Sequence, residues 1–453
     1  MQFRRELRSL LRLAVPVVLS DLGWMLMGIV DTMMVGRITQ GTAAAIGAVS
    51  IGSIYFYTVA MFGGGLMLGL DTLVSRAHGA GRRDEAYRSV LSGLYLILPL
   101  TPILMWIIWS GVSLFGTFGY EPALLAEIAR FMHALVWSLP PLLIYLTLRR
   151  YLQATSRTAP VVFALITANL INVIGNWILI YGHLGAPAMG TAGSAWSTVA
   201  ARAYMAMILA GYVLFREWPW HIALTPDLAR IRQLLRLGLP AALQITLEIG
   251  VFATAGALIG KLGEVPLAAH QIAIQTVSAT YMVPLGISTA AAVRVGQAVG
   301  RGDPHEAARA GWTAVVLGGG FMSGCGIAMA VAPRAIGRLF TPDAAVVEAA
   351  VALLLVAAAF QIFDGIQTCA MGALRGAGDT HTAMLSHLVA YWAVGLPAGY
   401  ALCFRFGLGA AGMWAGLCAA VILIGIVLLW AWWRRANHMR GVTSDAINAG
   451  TAP

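Results

Sequence analysis

The sequence predicts an all-α integral membrane protein, with twelve transmembrane helices in two six-helix bundles related by a pseudo-two-fold axis along the membrane normal. Three observations predict it. Charged residues make up 11% of the 453 positions and hydrophobic residues 59%, against about 25% charged in an ordinary soluble domain, so a soluble fold of this size could not cover its surface. Apolar stretches recur at twelve places, each long enough for the ~20 residues that cross a hydrocarbon core. The second half of the chain also repeats the first.

The stretches run 13–35, 43–70, 89–114, 123–148, 159–182 and 189–215, then 237–260, 265–293, 308–332, 346–373, 382–404 and 409–433. The first follows Arg4, Arg5, Arg8 and Arg12 and precedes Ala43-Ala44-Ala45, the order of parts in a signal peptide. It exceeds the ~7–15 residues of a signal-peptide core and carries Asp31, so it reads as a retained helix. Cys325, Cys369, Cys403 and Cys418 lie inside stretches at spacings of no metal motif and read as small packing residues. At the end of the twelfth stretch, Trp430, Trp432 and Trp433 beside Arg434 and Arg435 read as an interfacial anchor.

Sliding the sequence on itself by roughly 219 to 224 residues aligns the halves. Leu10 to Pro16 matches Leu234 to Pro240. Ala77-His78-Gly79-Ala80-Gly81 matches Ala298-Val299-Gly300-Arg301-Gly302, and Gly190-Thr191-Ala192-Gly193 matches Gly409-Ala410-Ala411-Gly412. Six helices separate equivalent positions, an even number, so the halves share orientation and two bundles can rock about a cleft, the geometry of alternating access. The expected organisation is an N-terminal lobe over 1–215, an interlobe linker over 216–236 carrying Trp218, Pro219 and Trp220, a C-terminal lobe over 237–434 and a tail over 435–453.

The net charge of +10 is explained by topology rather than by nucleic acid. With the N-terminus in the cytoplasm, 22 Lys and Arg residues fall on that side and 5 on the other, with Arg130 and Arg202 inside spans. This asymmetry is the positive-inside rule, and it puts both termini in the cytoplasm.

Function is carried by carboxylates at bilayer depth. Asp31, Glu248 and Asp364 each stand within an apolar stretch, where an ionisable group is costly and marks an ion or substrate path. Such a group can be neutralised by a proton, by a hard cation such as sodium or by a drug ammonium, and mutually exclusive occupancy would couple the fluxes. Bland alternatives stand beside this one. Glu248 could be a structural acid bonded to Gln271 or Ser278, and Asp31 could pair with Arg37. Asn172 and Asn176 share a helix face and offer either oxygens to a hard cation or interhelical hydrogen bonds. Glu127 and Glu348, which correspond in the repeat, read as structural. So does Asp71, followed by Arg76, as an ordinary ion pair, while Asp21 is a weak candidate. His270 and His387 read as packed or hydrogen-bonded. Met25, Met27, Met33, Met34 and Met61 add adaptable thioethers.

Five segments resemble the multidrug and toxin extrusion (MATE) family in its NorM-type branch. They are Val15-Pro16 through Asp31 to Gly36, Gly79-Ala80-Gly81-Arg82, Leu170 to Trp177, Ala268-Ala269-His270-Gln271 and Leu374 to Thr380. The resemblance implies secondary active multidrug efflux in a bacterial inner (plasma) membrane, exchanging organic cations and other drugs for protons or sodium. It implies no cofactor beyond that ion, and a monomer whose partners are drugs and the bilayer. Glu248 and Asp364 are similar to the family's C-lobe cation-binding carboxylates, while Asp31, Asn172 and Thr198, with Asn176 beside them, resemble its polar N-lobe site. Sodium could then sit at either set. One departure is Phe360, a turn before Asp364, where a close relative has tyrosine, and Val283 occupies a place where an aromatic can occur. The lost phenol oxygen weakens sodium binding there and leaves proton chemistry untouched. A flippase of the same superfamily, moving a lipid-linked oligosaccharide, would need a cationic cleft for pyrophosphate. No Gly-x-Ser-x-Gly, His-Glu-x-x-His or paired Gly-Asp arrangement supports an intramembrane enzyme.

Overall fold

The computed structural model describes residues 2–38, 42–118, 121–219 and 224–448. Trp220 of the expected linker and the last five residues of the tail lie outside them. Among the described residues, twelve helical segments are long and apolar enough to cross a membrane. Helix is what such a sequence must form, because lipid offers no partner to a backbone N–H or C=O.

α1 (Gln2–Val35) is the first span. The second is α2 (Thr42–Met67), interrupted at Leu68 and continued by α3 (Gly69–Gly79). α4 (Arg83–Leu114) is the third, and α5 (Pro122–Leu135) with α6 (Leu139–Ala154) forms the fourth. α7 (Ala159–Tyr181) and α8 (Thr191–Tyr212) complete the first half.

The second half starts with α9 (Leu228–Gly260), α10 (Glu264–Arg301) and α11 (Pro304–Val331). A short amphipathic α12 (Pro333–Phe340) precedes α13 (Ala344–Gly376). The eleventh span opens as α14 (His381–His387), widens into i→i+5 turns over Leu388–Gly395, passes α15 (Leu396–Tyr400) and ends at Arg405. Pro397 has no N–H to give to the preceding turn, and the widened turns sit directly before it. α16 (Gly409–Asn448) is the last span.

Every expected apolar stretch is a helix, and several helices run past its end into charged sequence. α9 begins at Leu228, so the last part of the 216–236 segment is helical. Local capping fixes some of these starts. The Asp303 carboxylate accepts from Glu306 N at 2.7 Å with Pro304 in the first turn, and Asp343 accepts from Ala345 N at 2.8 Å.

The chain packs as two compact units. The C-terminal unit comprises Leu243–Pro453 with Met1–Val18 and Ser75–Gly81, and the N-terminal unit comprises Leu19–Val74 and Arg82–Ala242. The opening helix of each half is therefore divided, α1 after Val18 and α9 after Ala242, at positions equivalent in the repeat. In the C-terminal unit the start of α1 is held by ions: Arg294 Nε and Nη2 donate to the Glu6 carboxylate at 3.0 and 2.9 Å, and Nη2 also reaches Glu306 at 2.9 Å. In the same unit the end of α3 crosses α10 with backbones touching at Gly79 and Gly300. A Cβ on Gly79 would lie 2.1 Å from Gln297 O, and one on Gly300 2.2 Å from Arg76 O. Gly79 and Gly300 are repeat equivalents, as are Arg76 and Gln297, so the contact is reciprocal.

Candidate functional site

Each unit has a polar cluster within its apolar interior. In the C-terminal unit, α9 presents Glu248 and α13 presents Asp364, which is 5% exposed. Glu248 accepts from Gln244 Nε2, one turn earlier, at 2.8 Å. Asp364 accepts from Gln367 Nε2 at 2.8 Å. The eleventh span adds His387, whose Nε2 stands 3.8 Å from Glu248 while Nδ1 lies 2.8 Å from the Ala383 carbonyl. Trp392, within the widened turns, donates to Leu247 O at 3.1 Å and ties this span to α9 beside Glu248.

The two carboxylates lie within electrostatic range of each other and of the hydroxyls of Tyr281 and Tyr391. Tyr281 stands beside Thr368, and Tyr391 beside Gln367. Phe360 is buried against Trp414, ring centroids 6.2 Å apart, and offers no oxygen beside Asp364, while Tyr281 and Tyr391 bring phenols from other helices. Among the described residues Glu248 is held by Gln244, with His387 3.8 Å away, and not by Gln271 or Ser278.

In the N-terminal unit the four residues singled out from sequence come together. Asn176 Nδ2 donates to Asp31 Oδ1 at 2.6 Å and lies 3.3 Å from Asn172 Oδ1. Thr198 Oγ1 donates to Asp31 Oδ2 at 3.1 Å. Asn172, Asn176 and Thr198 are buried, and among the described residues Asn176 Oδ1 and Asn172 Nδ2 have no hydrogen-bond partner. A buried amide oxygen without a donor is what an oxygen-seeking cation would use. Asp31 supplies its charge to α7 and α8 rather than to Arg37, and Ser197 fixes the register of those helices by donating to Asn172 O at 2.7 Å.

Asp21, Asp71, Glu127 and Glu348 are bound in ion pairs. Arg149 reaches Asp21, and Arg150 lies 3.6 Å from the fully buried Asp71, where sequence proximity pointed to Arg76. Glu127 pairs with Arg130 and Glu348 with Arg334, each at 2.7 Å. His270 accepts from Trp414 Nε1 at 3.0 Å. The four cysteines are free.

The MatE family model matches residues 16–178 and again 240–401. The chain belongs to the MatE family. Its two matched segments begin at Pro16 and Pro240, in the register of the repeat. This MatE chain is 37% identical to a "Probable multidrug resistance protein NorM" of Mesorhizobium japonicum, over 96% of its own length and 95% of that protein's. It is 33% identical to "Multidrug resistance protein MdtK" of Yersinia pseudotuberculosis, over 94% of its length and 95% of that protein's. The crystal structure of a eukaryotic MATE transporter superposes with a TM-score of 0.87, covering 97% of this chain and 99% of that one at 23% identity, a likeness of fold.

Sequence reasoning on this MatE chain missed Gln244, Gln367, Tyr281 and Tyr391, and it read His387 as packed or hydrogen-bonded without placing it beside Glu248. The two glutamines stand four residues before Glu248 and three after Asp364, a helical spacing that could have found them. His387 and Tyr391 share a face of the eleventh span, but nothing local ties that face to Glu248.

Proposed function

We propose that this chain is a secondary active multidrug efflux transporter that exchanges organic cations and other drugs for protons or sodium by alternating access, in a bacterial inner membrane with both termini cytoplasmic. The observation that carries the reading is the Glu248 and Asp364 cluster. Two carboxylates share a membrane-embedded site whose nearest partners are neutral amides, phenols and one histidine. Such a pair favours whatever positive charge enters, and one charge at a time is the condition for exchange.

The Asp31 cluster supplies a second oxygen-rich set, Asp31, Asn172, Asn176 and Thr198, suited to the coupling ion. The coupling ion then has a further carboxylate of its own besides Glu248 and Asp364. A lipid-linked oligosaccharide would instead call for a cationic site, the reverse of the polarity at Glu248 and Asp364.

The test is drug efflux from reconstituted vesicles under a sodium gradient alone and then a proton gradient alone. Efflux driven by one and abolished by its collapse is the expected result. Equal drug movement with neither gradient imposed would make the protein a passive channel and refute the reading.

A further inference from the structure

Arg202 lies in the sixth span, on α8 one turn after Thr198, and the proposed sites do not use it. It is 1% exposed, and a buried guanidinium at bilayer depth is costly unless well satisfied. Nη1 donates to Ser138 Oγ at 2.6 Å and Nη2 to Tyr57 Oη at 2.9 Å, neither of them a carboxylate. Nε has no partner. The guanidinium carbon stands 5.4, 5.0 and 5.5 Å from the ring centroids of Trp24, Phe56 and Tyr57. The walls are braced: Trp24 stacks on Tyr145 at 6.2 Å, and Phe56 meets Tyr57 edge to face at 5.8 Å.

Three ring faces, two hydroxyl acceptors and a carboxylate one turn away, Asp31 held by Thr198, have the composition of a receptor for an organic cation. We propose that Trp24, Phe56, Tyr57 and Ser138 form an organic-cation cage whose resident ligand is the chain's own Arg202. Arg202 is then a specificity-determining residue. It excludes guanidinium and ammonium compounds from the N-terminal unit and leaves the substrate's charge to Glu248 and Asp364. This last step rests on the substrate site assigned under Proposed function.

The repeat supports the division of labour. Trp24, a wall of the cage, is the equivalent of Glu248. At the same place on the opening helix of each half, one unit offers an acid to an incoming cation and the other lays a ring against a cation it already owns.

Arg202→Ala removes the occupant and keeps the walls. Wild type and R202A, purified into nanodiscs, are titrated with methylguanidinium chloride against sodium chloride of equal ionic strength, following thermal unfolding and calorimetric binding. R202A is expected to bind methylguanidinium at least roughly tenfold tighter than wild type, the scale of one or two desolvated cation–π contacts, and to melt higher as it is added. Trp24→Ala in the R202A background removes the gain. Folded R202A that responds no more than wild type overturns the cage, as does a gain that survives Trp24→Ala. Where R202A cannot be purified, Arg202→Lys and Arg202→Gln decide: Lys near wild-type melting with Gln well below supports the cage, and any other ranking overturns it. These are equilibrium measurements without transport, so their failure leaves the Glu248 and Asp364 reading standing, and failure of the vesicle experiment leaves them readable.

Discussion

The reciprocal contact of Gly79 and Gly300 makes a quantitative prediction about packing. A methyl group at Gly79 would sit 2.1 Å from Gln297 O, and one at Gly300 2.2 Å from Arg76 O. A carbon needs ~3.3 Å from a carbonyl oxygen, so either alanine forces the end of α3 and α10 apart by roughly 1 Å. Overpacking of this kind costs about 1–3 kcal/mol, and the better helix propensity of alanine returns less than about 1 kcal/mol. Each single variant is therefore expected to lose about 1–2 kcal/mol. The double variant has a sharper signature. Separation by roughly 1 Å for one methyl already makes room for the other, so the double loses clearly less than the sum, by about 0.5 kcal/mol or more. Unfolding of purified protein in mixed micelles by added denaturing detergent measures all three. Gly320→Ala, where nothing lies within 4 Å of the added carbon, is the control and is expected to be neutral or slightly stabilising. Strict additivity, or a Gly79→Ala protein as stable as the control, would refute the reciprocal close approach.

Glu248→Gln and Asp364→Asn each remove a charge at nearly constant volume and are expected to lower ion-driven export by roughly tenfold or more with normal amounts of folded protein in the membrane; wild-type drug resistance in either would show the residue to be structural. Asp31→Asn is expected to stop ion-driven efflux while drug binding at Glu248 and Asp364 persists, and unchanged rate and ion dependence would remove that cluster from the mechanism. Glu6→Gln breaks the two-point contact with Arg294, yet Arg294 keeps Glu306; a loss of about 1–3 kcal/mol is expected in the same detergent titration, and none would mean the ions are not tying α1 down. Cysteines placed at Arg83 and Gly302 are expected to resist an impermeant thiol reagent added outside intact cells, and ready labelling would invert the topology.

What the sequence revealed and what it hid follow from the same physics. Lipid makes charge expensive, so Asp31, Glu248 and Asp364 stood out against apolar surroundings, and the twelve helices were visible because each must be apolar for most of its length. Helix ends were harder to read. Residues 228–236 and 294–301 are charged but helical, since a helix leaving lipid loses its apolar requirement and keeps its backbone bonds. Asn172 and Asn176 were legible as a pair through their spacing, whereas their meeting with Asp31 depends on α1 packing against α7 and α8, separations of 145 and 167 residues in the bonds to Asn176 and Thr198. Arg202 was visible as a charge inside a span, but its aromatic surroundings come from α1 and α2, and no local spacing connects them.

The repeat explains why fold and chemistry separated in this way. Where backbone meets backbone, both halves are held to the same residue: Gly79 answers Gly300, and the turns that follow pass through left-handed glycines, Gly81 at φ 73° and Gly302 at φ 75°. Neither place tolerates a side chain without cost, so the two copies stay alike. Where side chains meet the interior, one copy is free to change as long as its own neighbours change with it. Asp31 faces Asn176 and Thr198 while its equivalent is Ala255, and Glu248 faces His387 while its equivalent, Trp24, covers Arg202. A duplicated bundle can in this way hold a fixed scaffold and two interiors of different polarity. If the polarity difference directs where a drug cation binds, exchanging it should redirect the drug, and the Arg202→Ala protein is the smallest change that begins the exchange.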